Sequence, residues 1–205
     1  MSIYKVIAFD CDGVLFDTAE SNRNYYNAIL NQLGMPDMTE EQFCFIHMHT
    51  VQEALKHLFP GKQALLKAQS IKKELSYTPF VAAYTMEPSL IPLLKRIRPA
   101  CKTAIATNRS DSMPTLLRVH DISSYFDLIV SANDVPRPKP HPDQLLRLLD
   151  FFKVSPRQML YVGDSKVDES AAKAARVPLA AYNNSSLSAD YHIRSLKEIE
   201  DILGL

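Results

Sequence analysis

The feature that most constrains the fold is a short apolar run near the start of the chain that ends in closely spaced acids. Val6–Phe9 is followed directly by Asp10-Cys11-Asp12-Gly13. A few apolar residues that stop at a polar loop are typical of a buried strand. Because the two acids are two residues apart, their side chains project in the same direction while the backbone stays extended. Two carboxylates this close repel each other unless a cation neutralises them, so the loop is either a plain acidic loop or part of a cation-assisted site.

Composition excludes several classes of partner. The 205 residues include 23 Lys and Arg and 23 Asp and Glu, so no net field attracts nucleic acid or an anionic membrane. The three cysteines are far apart and lack Cys-x-x-Cys spacing, which argues against a disulfide framework or a zinc site. The sequence has no apolar run of the roughly 18 residues that a membrane span requires. We therefore expect a cytoplasmic protein that binds neither nucleic acid nor membrane, and the composition leaves its oligomeric state open.

The two ends of the chain alternate strand-like and helix-like segments. This pattern predicts an α/β core domain, residues 1–16 and 88–205, with a Rossmann-like parallel sheet flanked by helices. Ser155-Pro156-Arg157-Gln158 has the Ser-x-x-Gln pattern and the proline that begin a helix. A similar Ser195-x-x-Glu198 pattern predicts a terminal helix that ends near Gly204. The predicted strands are Val6–Phe9, Thr103–Ala106, Leu128–Ser131, Leu160–Val162 and Leu179–Tyr182.

The intervening segment, residues 17–87, contains no convincing strand and predicts an inserted, all-helical cap domain. Three helix starts and two glycines that read as helix ends divide it: Asp17-x-x-Glu20, Thr39-x-x-Gln42 and Thr50-x-x-Glu53, with Gly34 and Gly61. A fourth helix is expected from Lys62 toward Tyr77, with a buried side made of Leu65, Leu66, Ile71 and Leu75. Because this segment is inserted directly behind the acidic loop, it should lie above the acids, as a mobile lid would.

Three further segments place polar residues after predicted strands. They are Thr107-Asn108, Lys139 in a proline-rich loop, and Asp164 followed by Asp168. Phosphoryl transfer needs a nucleophile in line, a proton for the leaving oxygen and groups that hold the equatorial oxygens. A carboxylate supplies the nucleophile, a second carboxyl the proton, and a hydroxyl with backbone amides the anion site. The remaining acids make an oxygen-rich site suited to Mg²⁺.

In order and spacing these segments resemble the haloacid dehalogenase (HAD) superfamily, specifically its phosphatase branch with a helical cap. Asp10-x-Asp12-Gly-Val-Leu-x-Asp17 is similar to the first family motif and Thr107-Asn108 to the second. The third and fourth motifs are matched by Lys139-Pro140 and by Gly163-Asp164-x-x-x-Asp168. The resemblance covers essentially the whole chain.

The resemblance implies a role for each matched residue. Asp10 corresponds to the nucleophile and Asp12 to the general acid and base. Lys139 corresponds to the lysine that steadies nucleophile and phosphate. Thr107 corresponds to the phosphate-binding hydroxyl, and Asn108 is its neighbour in the same motif. The implied metal ligands are Asp10, Asp12 through its backbone carbonyl, Asp164, and Asp168 either directly or through water.

Some positions carry alternatives. Asp168 could serve only as the N-cap of a helix over 168–175, and Asp17 is expected to cap the first inserted helix and not to bind metal. Arg109 could meet an anionic group of the substrate or be a solvated loop residue. His47 and His49 could contact substrate or be ordinary surface or capping groups. At Arg176 relatives commonly have a glycine that ends a helix, so a different turn is expected there.

The main functional prediction is a Mg²⁺-dependent hydrolase of small phosphorylated metabolites, similar to phosphoglycolate phosphatase-like members. An acid at Asp12 favours phosphate esters, because dehalogenases and phosphonate hydrolases of the superfamily generally lack one there. The alternative is a sugar phosphomutase of the same branch, in which the aspartyl-phosphate passes to a sugar hydroxyl. A signalling protein switched by a phosphorylated aspartate, or a catalytically idle binding protein, is a further alternative.

Overall fold

The structure is a computed structural model, which describes residues 3–98 and 100–205. Six strands form one parallel sheet, and two short strands pair separately. The strands of the described part are β1 (Val6–Phe9), β2 (Phe16–Asp17), β3 (Thr85–Met86), β4 (Lys102–Ala106), β5 (Leu128–Val130), β6 (Met159–Gly163), β7 (Leu179–Tyr182) and β8 (Tyr191–Ile193).

The large sheet has the order β5-β4-β1-β6-β7-β8, with β1 between β4 and β6. The chain turns to opposite sides of β1 in successive crossovers, and the point of reversal is where parallel α/β sheets form their ligand sites. This sheet confirms the predicted α/β fold class and all five predicted strands. The edge strand β8 was not predicted, because its three residues include a partly exposed Tyr191 and an exposed His192 and therefore lack an apolar pattern.

Helices connect and cover the strands. They are α1 (Ala19–Gln32), α2 (Glu40–Met48), α3 (Val51–Leu58), α4 (Lys62–Glu74), α5 (Thr78–Ala82), α6 (Leu90–Ile97), α7 (Met113–Val119), α8 (Asp143–Phe152), α9 (Lys166–Ala175) and α10 (Ile199–Leu203). Short 3₁₀ turns occur at Ser123–Tyr125, Ala132–Asp134, Pro156–Gln158 and Leu196–Glu198. Within the described residues no helix combines the length and the apolar character needed to cross a bilayer.

Alternation along β1 assigns its residues to two hydrophobic cores. Ile7 and Phe9 pack on one face of the sheet with apolar residues of α6, α7 and α10. Val6 and Ala8 pack on the other face with residues of α8 and α9. A strand buried on both faces is apolar throughout, which explains the uninterrupted run that ends at the acids.

The helices α1 to α4 have a third core of their own, built around residues such as Ile29, Leu55 and Phe59. Capping boxes begin α2 at Thr39 and α3 at Thr50, as predicted. The division of the chain into a core domain, 1–16 with 88–205, and a cap domain, 17–87, stays a prediction.

Two helix boundaries in this segment differ from expectation. The N-cap of α1 is Thr18, while Asp17 lies in β2 and accepts a hydrogen bond from the backbone N–H of Ala19 at 3.2 Å. Gly34 follows the end of α1 with φ +69°, as expected, but Gly61 precedes α4 and does not end α3.

Helix α4 is shorter than predicted and turns a different side to the core. It ends at Glu74 and not near Tyr77. Leu65, Ile71 and Leu75 are partly buried against the helical core, but Leu66 is 56% exposed, so its predicted burial was wrong. Two adjacent leucines occupy positions 100° apart on a helix, and only one of them reaches the apolar stripe.

A two-stranded antiparallel ribbon lies where the helical segment leaves and rejoins the sheet. In it Phe16 pairs with Met86 and Asp17 with Thr85. Strands this short leave no periodic signal in a sequence, so the ribbon was missed.

The two Ser-x-x-Gln/Glu patterns have different outcomes. Ser155 and Gln158 form the predicted capping box, but the box closes only a 3₁₀ turn, after which β6 begins at once. The predicted helix was wrong there because the following residues are pulled into the sheet. The Ser195 pattern does begin the terminal helical region, which ends at Gly204 with φ +69°.

Arg176 ends α9 in the left-handed conformation that usually favours glycine, with φ 58° and ψ 31°. Its N–H bonds to carbonyls of the last helical turn, so the turn is the ordinary one and the expectation of a different turn was wrong.

We predict that Arg176→Gly raises the free energy of unfolding by about 0.5–1 kcal/mol, because glycine adopts positive φ without the Cβ clash. Chemical denaturation measures the change. Lys173→Gly, at an exposed position inside the same helix, is the control and should lower stability by about 1 kcal/mol. A loss of stability in Arg176→Gly would contradict the assignment of strain to this residue.

Candidate active site

The predicted site residues converge at the carboxyl ends of three adjacent strands. Asp10 follows β1, Thr107 follows β4 and Asp164 follows β6, while Lys139 enters from the loop before α8. These residues line a cavity of about 180 Å³, together with Asp12 and Asn108 and with residues of α1, α2 and the loop after α4. The helical segment therefore forms the roof of the cavity and the sheet forms its floor.

A buried lysine joins the first and fourth motifs. The ammonium of Lys139 lies 2.9 Å from Asp10 Oδ1 and 2.7 Å from Asp168 Oδ1, and its side chain is 1% exposed. Burial disfavours the charged lysine, but the two carboxylates outweigh burial and raise its pKa above the usual value. Lys139 is thus a fixed cation beneath the cavity.

Asp168 lies below the cavity, fully buried in the first turn of α9. Its Oδ1 accepts hydrogen bonds from Lys139 and, at 2.8 Å, from the Tyr161 hydroxyl. Its Oδ2 accepts from the backbone N–H groups of Asp164 and Ser165. The N-cap is Ser165 and the helix begins at Lys166, so the alternative that Asp168 only caps was wrong.

The acids of the site are numerous enough to call for a cation. Ligand oxygens of Asp10, Asp164 and Asp168 all lie within 4.8 Å of one another. Asp12 adds a fourth carboxylate. The basic side chains that contact these four acids are Lys139, at Asp10 and Asp168, and Arg109, at Asp12. A surplus of closely spaced carboxylate oxygens is the donor set that a hard divalent cation prefers.

Two glycines make the close packing of these acids possible. A Cβ on Gly13, where φ is +78°, would lie 2.1 Å from Asp164 Oδ2. A Cβ on Gly163 would lie 2.5 Å from the Cβ of Asp168. Neither contact is tolerable. A side chain at Gly13 would push Asp164 away from the first motif, and one at Gly163 would displace Asp168 within the fourth.

Burial and mutual repulsion change the ionisation of two carboxyls. Desolvation, followed by the charges of Asp168 and Asp10, raises the pKa of Asp164 to about 8. Desolvation raises the pKa of Asp10 to about 7, although Lys139 acts to lower it and Asp12 adds to the increase. Both groups bind more protons in the folded than in the unfolded chain, so the free energy of unfolding contributed by them falls as pH rises from about 4 to 8.

Asp12 is different because an arginine neutralises it. Burial acts to raise the pKa of Asp12, but the charge and hydrogen bonds of Arg109 outweigh burial and lower it to about 2. Arg109 contacts both carboxylate oxygens, with Nε 3.1 Å from Oδ2 and Nη2 bound to Oδ1. The side chain of Arg109 is 4% exposed, so the interpretation as a solvated loop residue was wrong.

Thr107 and Asn108 connect β4 to the cavity. The Thr107 hydroxyl accepts a hydrogen bond from the backbone N–H of Arg109 at 3.1 Å, which leaves its own proton available. Asn108 donates to the carbonyls of Lys139 and Met48, so it links the core to α2, while its buried Oδ1 has no partner among the described residues.

The two histidines of α2 and its C-cap have separate environments. His49 donates from Nδ1 to the carbonyl of Phe45 at 2.6 Å and stacks on the Phe45 ring, while it also lines the cavity. His47 lines the cavity, and its buried Nδ1 has no partner within residues 3–98 and 100–205.

Sequence reasoning missed four buried or partly buried residues that position the site. Gln144 donates to the Thr107 carbonyl at 2.6 Å and accepts from the Lys139 N–H, and Tyr161 lies 2.9 Å from the Lys139 ammonium. A glutamine on the apolar side of α8 and a tyrosine inside a buried strand were the available signals. Tyr77 and Tyr84, which bind Arg109, had no signal of their own.

We predict that Mg²⁺ raises the melting temperature more at pH 8 than at pH 5, because a cation binds the ionised carboxylates whose formation is disfavoured without it. Thermal unfolding with and without Mg²⁺ measures this. Asp164→Asn should lose most of the increase, whereas Asp150→Asn, at an exposed position, should keep it. An equal increase at both pH values, or one that survives in Asp164→Asn, would refute the cation assignment.

Comparisons with known proteins show the family to which the chain belongs. The family model described as haloacid dehalogenase-like hydrolase matches residues 7–182. The phosphoglycolate phosphatase of Nitrosospira multiformis is 30% identical over 180 residues, which cover 83% of this chain and 79% of that protein. That of Chromobacterium violaceum is 27% identical and covers 97% of this chain and 96% of its own length. The crystal structure of a HAD-superfamily hydrolase, subfamily IA, variant 1, from Geobacter sulfurreducens is 36% identical, with a TM-score of 0.82 over 99% of this chain and 98% of that one. The chain therefore belongs to the haloacid dehalogenase-like hydrolase family, as an enzyme similar to the family's phosphoglycolate phosphatases.

Proposed function

We propose that the protein is a Mg²⁺-dependent hydrolase of small phosphate monoesters that forms an aspartyl-phosphate on Asp10. The observation that carries the proposal is the placement of Asp10 on the cavity wall with Lys139 at 2.9 Å. Oδ1 of Asp10 accepts from Lys139 and from the Cys11 N–H, while no described residue donates to Oδ2. That second oxygen is the one available to attack phosphorus.

Proton transfer is assigned to Asp12. In the free protein Asp12 is ionised, and the negative charge of an entering phosphate raises its pKa, so the carboxyl takes up a proton as substrate binds. It then gives this proton to the leaving alcohol. The resulting carboxylate accepts a proton from the water that hydrolyses the acyl phosphate, which regenerates Asp10 and releases phosphate.

The phosphate oxygens are held by the Thr107 hydroxyl, with Asn108 beside it. Because Thr107 already accepts a hydrogen bond from the Arg109 N–H, its proton is directed to an acceptor in the cavity. The Lys139 ammonium adds positive charge next to the nucleophile and offsets the repulsion between two anions.

The cation would be held by the carboxylates of Asp10 and Asp164 and the backbone carbonyl of Asp12, with Asp168 a more distant member of the set. When bound, it supplies positive charge that screens the phosphate from the surrounding carboxylates. Both oxygens of Asp168 are occupied by Lys139, Tyr161 and Ser165, which favours an indirect contribution from this residue.

The substrate class follows from the size and cover of the cavity. About 180 Å³ is roughly the volume of six water molecules in the liquid, enough for a phosphate with a short organic group. We assign residues 17–87 to a cap that closes on this space, with residues 1–16 and 88–205 as the core. The relatives named phosphoglycolate phosphatases point to the same kind of compact substrate.

We predict that Asp10→Asn lowers kcat for any accepted phosphate ester by at least about 10³-fold, because an amide cannot form the acyl phosphate. Phosphate release from a panel of phosphorylated metabolites, with and without Mg²⁺, measures it. Asp17→Asn, in the exposed end of β2, is the control and should keep wild-type activity. Residual turnover near wild type in Asp10→Asn would remove Asp10 from the mechanism.

The same panel separates the proposal from the phosphomutase alternative. Glucose 1-phosphate with a bisphosphate primer should give free phosphate or no reaction. Formation of glucose 6-phosphate at a higher rate than phosphate release from any other ester would replace the hydrolase by a mutase.

We predict that His47→Ala raises KM about tenfold with little change in kcat, because the unpartnered Nδ1 is positioned to hydrogen-bond the organic part of the substrate in ground and transition state alike. His192→Ala, at an exposed edge-strand position, is the matched control. Unchanged KM in His47→Ala would show that the cavity recognises its substrate without this residue.

A further inference from the structure

We infer that Arg109 is a positioning residue: it aims the Asp12 carboxylate for proton transfer and makes that aim depend on the helical segment being closed over the site. The inference rests on the proposed function, because it takes Asp12 to be the group that protonates the leaving alcohol.

All five N–H donors of the guanidinium are occupied by protein groups. Nε and one N–H of Nη2 bind the two oxygens of Asp12. The second N–H of Nη2 binds the Tyr84 hydroxyl at 3.1 Å. The two N–H groups of Nη1 bind the Tyr77 hydroxyl at 2.9 Å and Ser112 Oγ at 3.0 Å. An arginine has no further donor, so in this arrangement Arg109 has none left for a substrate anion.

The partners of Arg109 belong to both parts of the molecule. Asp12 and Ser112 are carried by the loops at the sheet, whereas Tyr77 lies between α4 and α5, and Tyr84 lies between α5 and β3. Both tyrosine hydroxyls also donate to Oδ1 of Asn22 on α1, at 3.2 and 2.9 Å. One buried network therefore connects the proposed proton donor to three places in the helical segment and its return to the sheet.

The fork geometry of the guanidinium explains why this network sets a direction and not only a charge. Two parallel N–H donors fix the plane of the carboxylate, which a single ammonium cannot do. The plane of the guanidinium is fixed in turn by Tyr77 and Tyr84. Tyr77 packs against the core of the helical segment, whereas Tyr84 is buried in the sheet-side core. If the helical segment moved away, Tyr77 and Asn22 would move with it, and the Arg109–Asp12 pair would lose that side of its support.

The test compares two substrates of similar size with different needs for a proton. An alkyl phosphate such as 2-phosphoglycolate must have its leaving oxygen protonated, whereas acetyl phosphate releases acetate, which leaves without a proton at neutral pH. The quantity measured is kcat/KM, because it includes only the steps up to departure of the first product.

For Arg109→Lys and Arg109→Gln we expect kcat/KM to fall about 10²-fold or more for the alkyl phosphate and less than about 5-fold for acetyl phosphate, since proton transfer is worth roughly 10²–10⁴-fold. Arg98→Lys is the control, because Arg98 forms a half-buried pair with Asp127 away from the cavity. Its two kcat/KM values should fall together or not at all. Equal losses for both substrates in the Arg109 variants would overturn the inference and leave Arg109 a purely structural residue.

A double variant covers the case in which loss of the buried arginine prevents folding. The double variant Tyr77→Phe, Tyr84→Phe keeps the Arg109–Asp12 pair and removes its two hydroxyl partners from the helical segment. It should show the same selectivity for the alkyl phosphate at a smaller size, about 10-fold. No selectivity in the double variant would overturn the link between closure and proton transfer.

Hydrogen exchange tests closure without reference to activity. In Arg109→Lys and in the tyrosine double variant the amides of α1 and α5 should exchange faster than in wild type, while those of α8 should not. Unchanged exchange in α1 and α5 would also overturn the link. Failure of the wild-type protein to hydrolyse any phosphate ester would instead refute the proposed function, and the exchange result would still decide whether Arg109 holds the segment closed.

Discussion

The structure depends on one buried ammonium. Lys139 lies between Asp10 and Asp168 and brings the first and fourth motifs together, although the two motifs are more than 150 residues apart in the chain. A lysine with a side chain 1% exposed is stable only as part of such a set, because an unpaired charge in the interior costs several kcal/mol. Removing the lysine would leave two buried carboxylates without their shared cation, and removing either carboxylate would leave the lysine with one counter-charge in place of two. The polar floor of the cavity is therefore a unit whose members need one another.

The remaining negative charge of this unit explains how the site is prepared for a cation and a phosphate. Asp10 and Asp164 have raised pKa values because burial and neighbouring acids disfavour their charged forms. Asp12 has a lowered pKa because Arg109 binds both of its oxygens. Burial thus keeps the pKa values of Asp10 and Asp164 high, whereas the bidentate contact with Arg109 keeps that of Asp12 low. Such a division suits one group to attack, another to transfer a proton and a third to hold metal.

Much of the fold and the whole set of family-motif residues were predictable from sequence, because both depend on local patterns. An apolar run buried on both faces and polar residues at strand ends can be read without coordinates, and they predicted the sheet and the convergence of Asp10, Thr107 and Asp164. The errors concern features set by distant contacts. The capping box at Ser155 is formed, but the residues after it belong to a strand of the sheet. Leu66 is exposed because its neighbour Leu65 lies on the apolar side of the helix.

The hydrogen-bond network around Arg109 also could not be predicted from the sequence, for a physical reason. Whether an arginine in a loop is solvated or buried depends on its acceptors, and Tyr77 and Tyr84 come from the far end of the inserted segment. Gln144 and Tyr161 were visible only as polar residues in apolar settings, a signal that indicates a buried hydrogen bond without naming its partner. Local sequence patterns therefore predict which chemical groups the site contains, while contacts between distant parts of the chain determine how those groups are positioned.

Trapping the phosphorylated enzyme tests most directly whether Asp10 is the residue that becomes covalently phosphorylated. The protein is quenched in acid during turnover and treated with borohydride, which reduces an aspartyl-phosphate to homoserine. Peptide mass spectrometry then locates the homoserine in the chain. We expect homoserine at position 10, and only when substrate and Mg²⁺ are both present. Homoserine at another aspartate, or unmodified Asp10 throughout steady-state turnover under conditions where phosphoenzyme hydrolysis limits the rate, would contradict it.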